Sequence, residues 1–215
     1  MLEPVPLDQE HVGALDRAEN LMYHCDLCPY LELKELFAAP TPPNQQRFRY
    51  LFTTYYGLNV GGLTEPFKDR YFEILFSRNV IIHGQSDFAG ILTELSSIKS
   101  KRGLNPVPFS FVSKLVAMHQ EHSPIYDRHV RSFLDFKEAK ASSPELRIAW
   151  FIGTIGAIAT RYQAWAEDER IQLILERLKT RDARLQHCHV VRLMDFLVWK
   201  VGNQKLLGGK TPALV

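Results

Sequence analysis

The chain has 215 residues, 46% of them hydrophobic and 23% charged, a balance that fits a folded globular protein and excludes disordered, collagen-like and coiled-coil chains. Lys and Arg total 26 against 24 Asp and Glu, a net charge of +2, too small a bias to announce a nucleic-acid or membrane partner by itself. Cys25, Cys28 and Cys188 make an odd count in a chain too large to need stapling, which points to a reducing, cytoplasmic compartment.

Apolar residues recur at spacings of three and four, separated by helix start and stop signals, so about eight helices and no strand are expected. The fold class is therefore all-α, a compact multi-helix single domain over residues 1–207, with residues 208–215 as a fraying tail. The opening Met1-Leu-Glu-Pro-Val-Pro lacks a basic region followed by an apolar one, so no signal peptide is expected.

A first helix runs from about Asp8 to Tyr23 with Val12, Leu15, Ala18, Leu21 and Met22 on one stripe, and a second runs from Leu31 to Ala38. Three prolines make Ala39-Pro-Thr-Pro-Pro-Asn44 a connector, after which Asn44 caps a helix carrying Phe48, Phe52, Tyr55 and Tyr56. The glycine-bearing turn Gly57 to Leu63 and a Thr64 cap lead into a helix to Arg78 holding Phe67, Tyr71, Phe72 and Phe76. At helical spacing these aromatics, with Trp150, Trp165 and Trp199, read as core. A fifth helix spans Ser86 to Ile98. The polar turn Lys99-Ser-Lys-Arg-Gly-Leu-Asn-Pro106 separates it from a sixth over Pro108–Gln120, and a seventh spans Asp127–Phe136.

Ser143-Pro144-Glu145 starts the next helix, whose apolar pattern continues to about Leu178, with Gly153 and Gly156 allowing close packing or a bend. Its apolar stretch, Ile148 to Ala159, is shorter than the ~20 residues that cross a bilayer, so no membrane partner is expected. Arg184 to Val201 forms the last helix.

On the sixth helix, Phe111, Val112, Leu115, Val116, Met118 and His119 share one face, and Ser110, Ser113, Lys114 and Ala117 share the opposite one. Thirteen positions beyond Lys114, Asp127 stands at the natural N-cap of the seventh helix. A helix, a proline turn and a second helix can fold back to bring such a lysine toward such a carboxylate. A lysine amine becomes a nucleophile when desolvation or a neighbouring cation lowers its pKa, and a carboxylate nearby can act as base or stabilise a developing cation. The plainer reading stands beside it: Asp127 as a helix cap and Lys114 as a solvated surface residue.

Lysine on a helix followed by Pro124-Ile-Tyr-Asp127 leading into another helix resembles the helix-hairpin-helix DNA glycosylases, especially 8-oxoguanine glycosylase-like proteins. The resemblance covers about thirty-five of the 215 residues and implies an all-helical fold, DNA as partner and base-excision repair of a flipped nucleotide. It implies Lys114 as the nucleophile on the sugar carbon, giving a Schiff base, with Asp127 assisting. The family places a glycine-rich hairpin before its lysine and a longer interval before its aspartate, whereas Val107-Pro-Phe-Ser-Phe-Val-Ser113 has no glycine. The phosphate-holding hairpin is then either lost or replaced by Lys99-Ser-Lys-Arg-Gly103 immediately upstream. The strings Phe109-Ser-Phe-Val-Ser-Lys114, Tyr55-Tyr-Gly-Leu and Gly62-Leu-Thr-Glu-Pro-Phe are also similar to small uncharacterised bacterial proteins.

From Lys99 to Arg131 six basic residues face two acids, a local +4, so DNA could dock there or the cations could form an ordinary solvated turn. The candidate DNA contacts are Lys99, Lys101, Arg102, Ser113, Arg128 and Arg131. The alternative to the glycosylase reading is a non-enzymatic helical adaptor or regulatory protein in which Lys114 and Asp127 only tie helices together. His24-Cys25-Asp-Leu-Cys28 and His187-Cys188-His189 lie too far apart in sequence to read as a zinc finger, and no metal is assigned. No phosphate-cradling glycine loop, Gly-x-Ser-x-Gly elbow or His-Glu-x-x-His helix occurs, and no cofactor is expected.

Overall fold

The structure, a computed structural model, describes residues 7–59, 62–77, 85–103, 107–135 and 143–206. The expected helix ends at Arg78 and Phe136, the stretch Leu104 to Pro106 and the tail 208–215 fall outside the described residues. Among the described residues there are ten α-helices, one 3-10 turn and no strand, so the chain is all-α. The helices are α1 (Gln9–Asn20), α2 (His24–Ala38), α3 (Pro42–Tyr55), α4 (Glu65–Phe76), α5 (Gln85–Ser96), α6 (Phe109–His119), α7 (Arg128–Phe133), α8 (Pro144–Ala166), α9 (Glu169–Thr180) and α10 (Val190–Leu206). They group into two compact units. The first comprises Met1–His24, Glu121–Ala139 and Gly153–Val215, and the second Cys25–Gln120 and Lys140–Ile152.

In the first unit α10 packs against α7 and α1, and α1 also packs against α9. Asp8 caps α1 by accepting from the His11 amide at 2.8 Å, a bond that holds its carboxyl below the usual range. Val12, Leu15, Ala18 and Met22 are buried as their spacing predicts, but Leu21 is half-buried. Between them sits Glu19, only 2% exposed, receiving Arg177 Nε at 3.1 Å and Arg181 Nε at 2.7 Å. A carboxylate survives there because two guanidinium groups meet it.

The long helix expected from Ser143 to Leu178 is two helices. Ser143 does cap α8, accepting from the Leu146 amide at 3.3 Å. The break comes at Glu167-Asp168, not at Gly153 or Gly156, both of which are exposed with open space where a Cβ would stand. Asp168 caps α9 through the Arg170 amide at 2.9 Å, while the Arg170 guanidinium closes on the same carboxylate. The same Asp-x-Arg arrangement recurs at Asp182 and Arg184, where it opens the 3-10 turn Ala183–His187. In both cases the arginine contact draws the aspartate down to about 2. The last α-helix therefore starts at Val190 rather than Arg184, with the His189 ring accepting from the Val191 amide at 3.2 Å.

The second unit is built on packed aromatics, stacked within each helix and edge-to-face between α3 and α4. Phe48, Phe52, Phe67, Tyr71 and Phe72 are buried, with Phe48 and Phe52 ring centres 5.3 Å apart and Phe52 and Phe72 5.9 Å apart. These rings hold α3 against α4 as a helical pair. The α2 helix begins at His24, well before the expected Leu31, and runs through Pro29. The α3 helix begins after Thr41 because Pro42 and Pro43 occupy its first turn, where a missing amide costs nothing. Asn44 is thus not its cap, and its side chain donates instead to the Ala39 carbonyl at 2.7 Å. Tyr71 Oη donates to the Phe111 carbonyl at 2.8 Å, tying α4 to α6. Tyr71→Phe is expected to lower unfolding free energy by about 1–2 kcal/mol, read from a urea titration; an unchanged midpoint would show the bond contributes nothing net.

Candidate functional site

In the second unit, α5, the turn after it and α6 form a helix–turn–helix pair whose helices pack together. Lys99, Lys101 and Arg102 are exposed on the turn, and Gly103 closes it at φ 73°, a left-handed backbone suited to glycine. The turn is pinned from behind by the Lys101 amide on the Gly62 carbonyl at 2.9 Å and Thr64 Oγ on the Lys99 carbonyl at 3.3 Å.

The α6 helix departs from its expected two-faced character. Val112, Leu115, Val116 and Met118 are buried, but so are Ser113, Lys114 and Ala117. Lys114 is 6% exposed and is not a solvated surface residue. Its Nζ donates to Ser110 Oγ at 3.0 Å and lies 5.3 Å from the Tyr56 ring centre and 5.5 Å from that of Phe111. Ring faces and a hydroxyl partly replace the water a buried ammonium loses. Ser113 is fully buried, with Oγ donating to the Ser110 carbonyl at 3.1 Å, which removes it from the candidate DNA contacts.

In the first unit Asp127 caps α7 as its position predicts, accepting from the His129 amide at 2.8 Å and the Val130 amide at 3.0 Å. Arg128 is exposed and Arg131 half-buried. The six cations counted from Lys99 to Arg131 are thus not one exposed set: Lys114 is buried, and Arg128 and Arg131 belong to the other unit. Lys114 and Asp127 likewise belong to different units, each with its own local bonds.

Close to Asp127 in the first unit is a buried ionic cluster that the sequence reading did not find. Arg192, fully buried on α10, places Nη1 at 2.5 Å from Asp195 Oδ2 and donates through Nη2 to the Ser123 carbonyl at 3.0 Å. The same Oδ2 accepts from the Ile125 amide at 3.0 Å. Burial pushes the Asp195 carboxyl up to about 7; Arg192 and the Ile125 amide pull it down, and the Asp127 charge adds to the rise. Tyr162, fully buried on α8, faces Asp195 without good hydrogen-bond geometry. Burial raises its phenol well above the ordinary value, and the charges of Asp195 and Asp127 raise it further. The signal was available: in Val190-Val-Arg-Leu-Met-Asp195-Phe-Leu-Val, opposite charges stand three apart in a stretch otherwise apolar, where a charge must find a partner.

Among the described residues no group of three or more His, Cys, Asp or Glu side chains is placed to hold a metal ion. Cys25 is exposed and Cys28 and Cys188 half-buried, and none of the three forms a disulfide. A groove of about 330 Å³ between α3 and α4 is lined by Arg49, Tyr50, Lys68 and Asp69 among others, but its cations are already paired, Arg49 with Asp69 and Lys68 with Glu65. No described helix is long and apolar enough to cross a membrane. No family model, curated protein or solved structure matches the chain.

Proposed function

We propose that this protein binds DNA through the exposed cations of the turn between α5 and α6 and acts on a flipped nucleotide as a base-excision glycosylase with Lys114 as nucleophile. The observation that carries the reading is the placement of the Lys114 amine. It sits 6% exposed between two aromatic rings, on the helix that follows a turn bearing exposed Lys99, Lys101 and Arg102. Desolvation is what a lysine nucleophile requires, and an exposed basic turn is what a phosphate backbone requires. Asp127 enters through the family resemblance, as the assisting carboxylate.

Incubation with duplexes carrying oxidised bases in the presence of borohydride is expected to trap a covalent protein–DNA adduct that is lost in Lys114→Ala. Failure to trap an adduct with any lesion, or an undiminished adduct in Lys114→Ala, overturns the assignment.

A second reading, a non-enzymatic helical adaptor, is favoured by the bonds that Asp127 and Lys114 already make within their own helices. On that reading Asp127→Asn lowers stability by about 1 kcal/mol, as for a weakened helix cap, and changes nothing else.

A further inference from the structure

The segment from Ser123 to Asp127 joins the end of α6 to the start of α7 yet lies in neither helix nor strand. Ser123, Pro124, Ile125 and Tyr126 are nonetheless all buried. Buried backbone that forms no ladder of its own needs other partners for its polar groups, and here α10 supplies two of them. The Ser123 carbonyl accepts from Arg192 Nη2 at 3.0 Å, and the Ile125 amide donates to Asp195 Oδ2 at 3.0 Å. Arg192 and Asp195 stand three apart on α10 and hold each other at 2.5 Å, so the two grips form one rigid unit. Partners about seventy positions apart in sequence are joined at both points. Two residues beyond the second grip the chain reaches Asp127, whose carboxylate then meets the His129 and Val130 amides.

We propose that Arg192 and Asp195 are positioning residues: together they clasp the Ser123–Ile125 backbone and thereby hold Asp127 in the orientation in which its carboxylate caps α7. Pro124 carries no amide and the segment has no regular structure, so no ladder of backbone bonds sets Asp127 from its N-terminal side. The carboxylate charge of Asp127 is felt by both Asp195 and Tyr162, which places the three in one electrostatic neighbourhood. The part Asp127 plays in catalysis rests on the function proposed above; its placement by α10 does not.

The test is amide hydrogen exchange on the full chain, read at Ile125, His129 and Val130. In Asp195→Ala, protection at all three is expected to fall together by about tenfold or more, the effect of losing hydrogen bonds to a charged group. In Asp127→Ala, protection is expected to fall at His129 and Val130 while Ile125 keeps its own. Loss confined to Ile125 in Asp195→Ala overturns the proposal, as does an equal loss at Ile125 in Asp127→Ala, which would reverse the order of dependence. Should Asp195→Ala fail to fold, Asp195→Asn retains an oxygen for the Ile125 amide and is expected to give a smaller but still concerted loss. Loss at Ile125 alone, or none anywhere, counts against the clasp. On the functional side, Asp195→Ala is expected to slow borohydride trapping at saturating duplex while leaving duplex affinity unchanged, and Asp195→Asn to recover part of the rate. A wild-type protein that traps no adduct removes the glycosylase reading and leaves the exchange result to decide the clasp.

Discussion

Gly202→Ala is expected to destabilise the first unit by more than about 3 kcal/mol, the upper range for overpacking. A Cβ at Gly202 would stand 2.1 Å from the His129 carbonyl oxygen, 2.5 Å from its carbon and 2.7 Å from its Cα. These are backbone atoms of the first turn of α7, so no rotamer change relieves the contact and α7 must lift from α10. At roughly 2–4 °C of thermal midpoint per kcal/mol for a chain of this size, calorimetry should show a fall of about 6–12 °C. A midpoint within about 2 °C of wild type would mean that the α7–α10 packing is looser than described. Gly153→Ala is the control: the position is exposed on α8 with open space around the missing Cβ. There alanine is expected to raise stability by about 0.5–1 kcal/mol through helix propensity alone.

Arg192→Met is expected to cost about 3–5 kcal/mol at pH 8, because Asp195 without its partner must either stay charged in the interior or take a proton from solvent that the unfolded chain does not hold, and to recover part of that loss by pH 5. The sign follows from Asp195. Its folded pKa, raised from the ordinary 3.8 to about 7 by burial, means that the folded chain holds a proton the unfolded chain has released between those values. This carboxyl therefore favours folding most below about pH 4, and stability falls as pH rises through 7. A rise from 3.8 to about 7 corresponds to on the order of 4 kcal/mol. Removing Arg192 takes away the main influence that lowers the Asp195 pKa, so the variant depends on protonation more steeply than wild type. His119 and His189, held low chiefly by burial, work in the opposite direction as pH rises. The difference between Arg192→Met and Arg192→Met/Asp195→Asn isolates the carboxyl from both histidines. Urea titrations at pH 5 and pH 8 that give the same penalty for Arg192→Met would show that Asp195 is not the group responsible.

Helix starts with a side-chain cap were largely legible. Asp127 and Ser143 accept the cap bonds expected of them, and Asp8, expected as the helix start, caps α1, whereas Asn44 is not the cap of α3 and Thr64 makes no side-chain cap bond to α4. The aromatic core of α3 and α4 was legible from spacing, since Phe48, Phe52, Phe67, Tyr71 and Phe72 repeat at helical intervals and are buried. The break at Asp168 was present in the sequence but unread, because the apolar pattern runs across it and hides an Asp-x-Arg cap. Of the candidate site, the Asp127 cap and the exposed Lys99, Lys101 and Arg102 could be read from sequence; the burial of Ser113 and Lys114 could not. Helical periodicity assigns residues to faces without saying how many faces a neighbour will cover.

The sequence by itself determined that the chain is all-α, the starts of α7 at Asp127 and α8 at Ser143, and the buried rings of Phe48, Phe52, Phe67, Tyr71 and Phe72, because those outcomes rest on bonds and contacts within a few residues. Tertiary structure alone decided that Lys114 lies dry between Tyr56 and Phe111. It alone decided too that Arg192 and Asp195 reach back about seventy residues to hold Ser123 and Ile125. Whether a charge is buried, and what meets it there, depends on surfaces that distant segments bring together, and the cost of leaving it unmet is what forces those partners to be found.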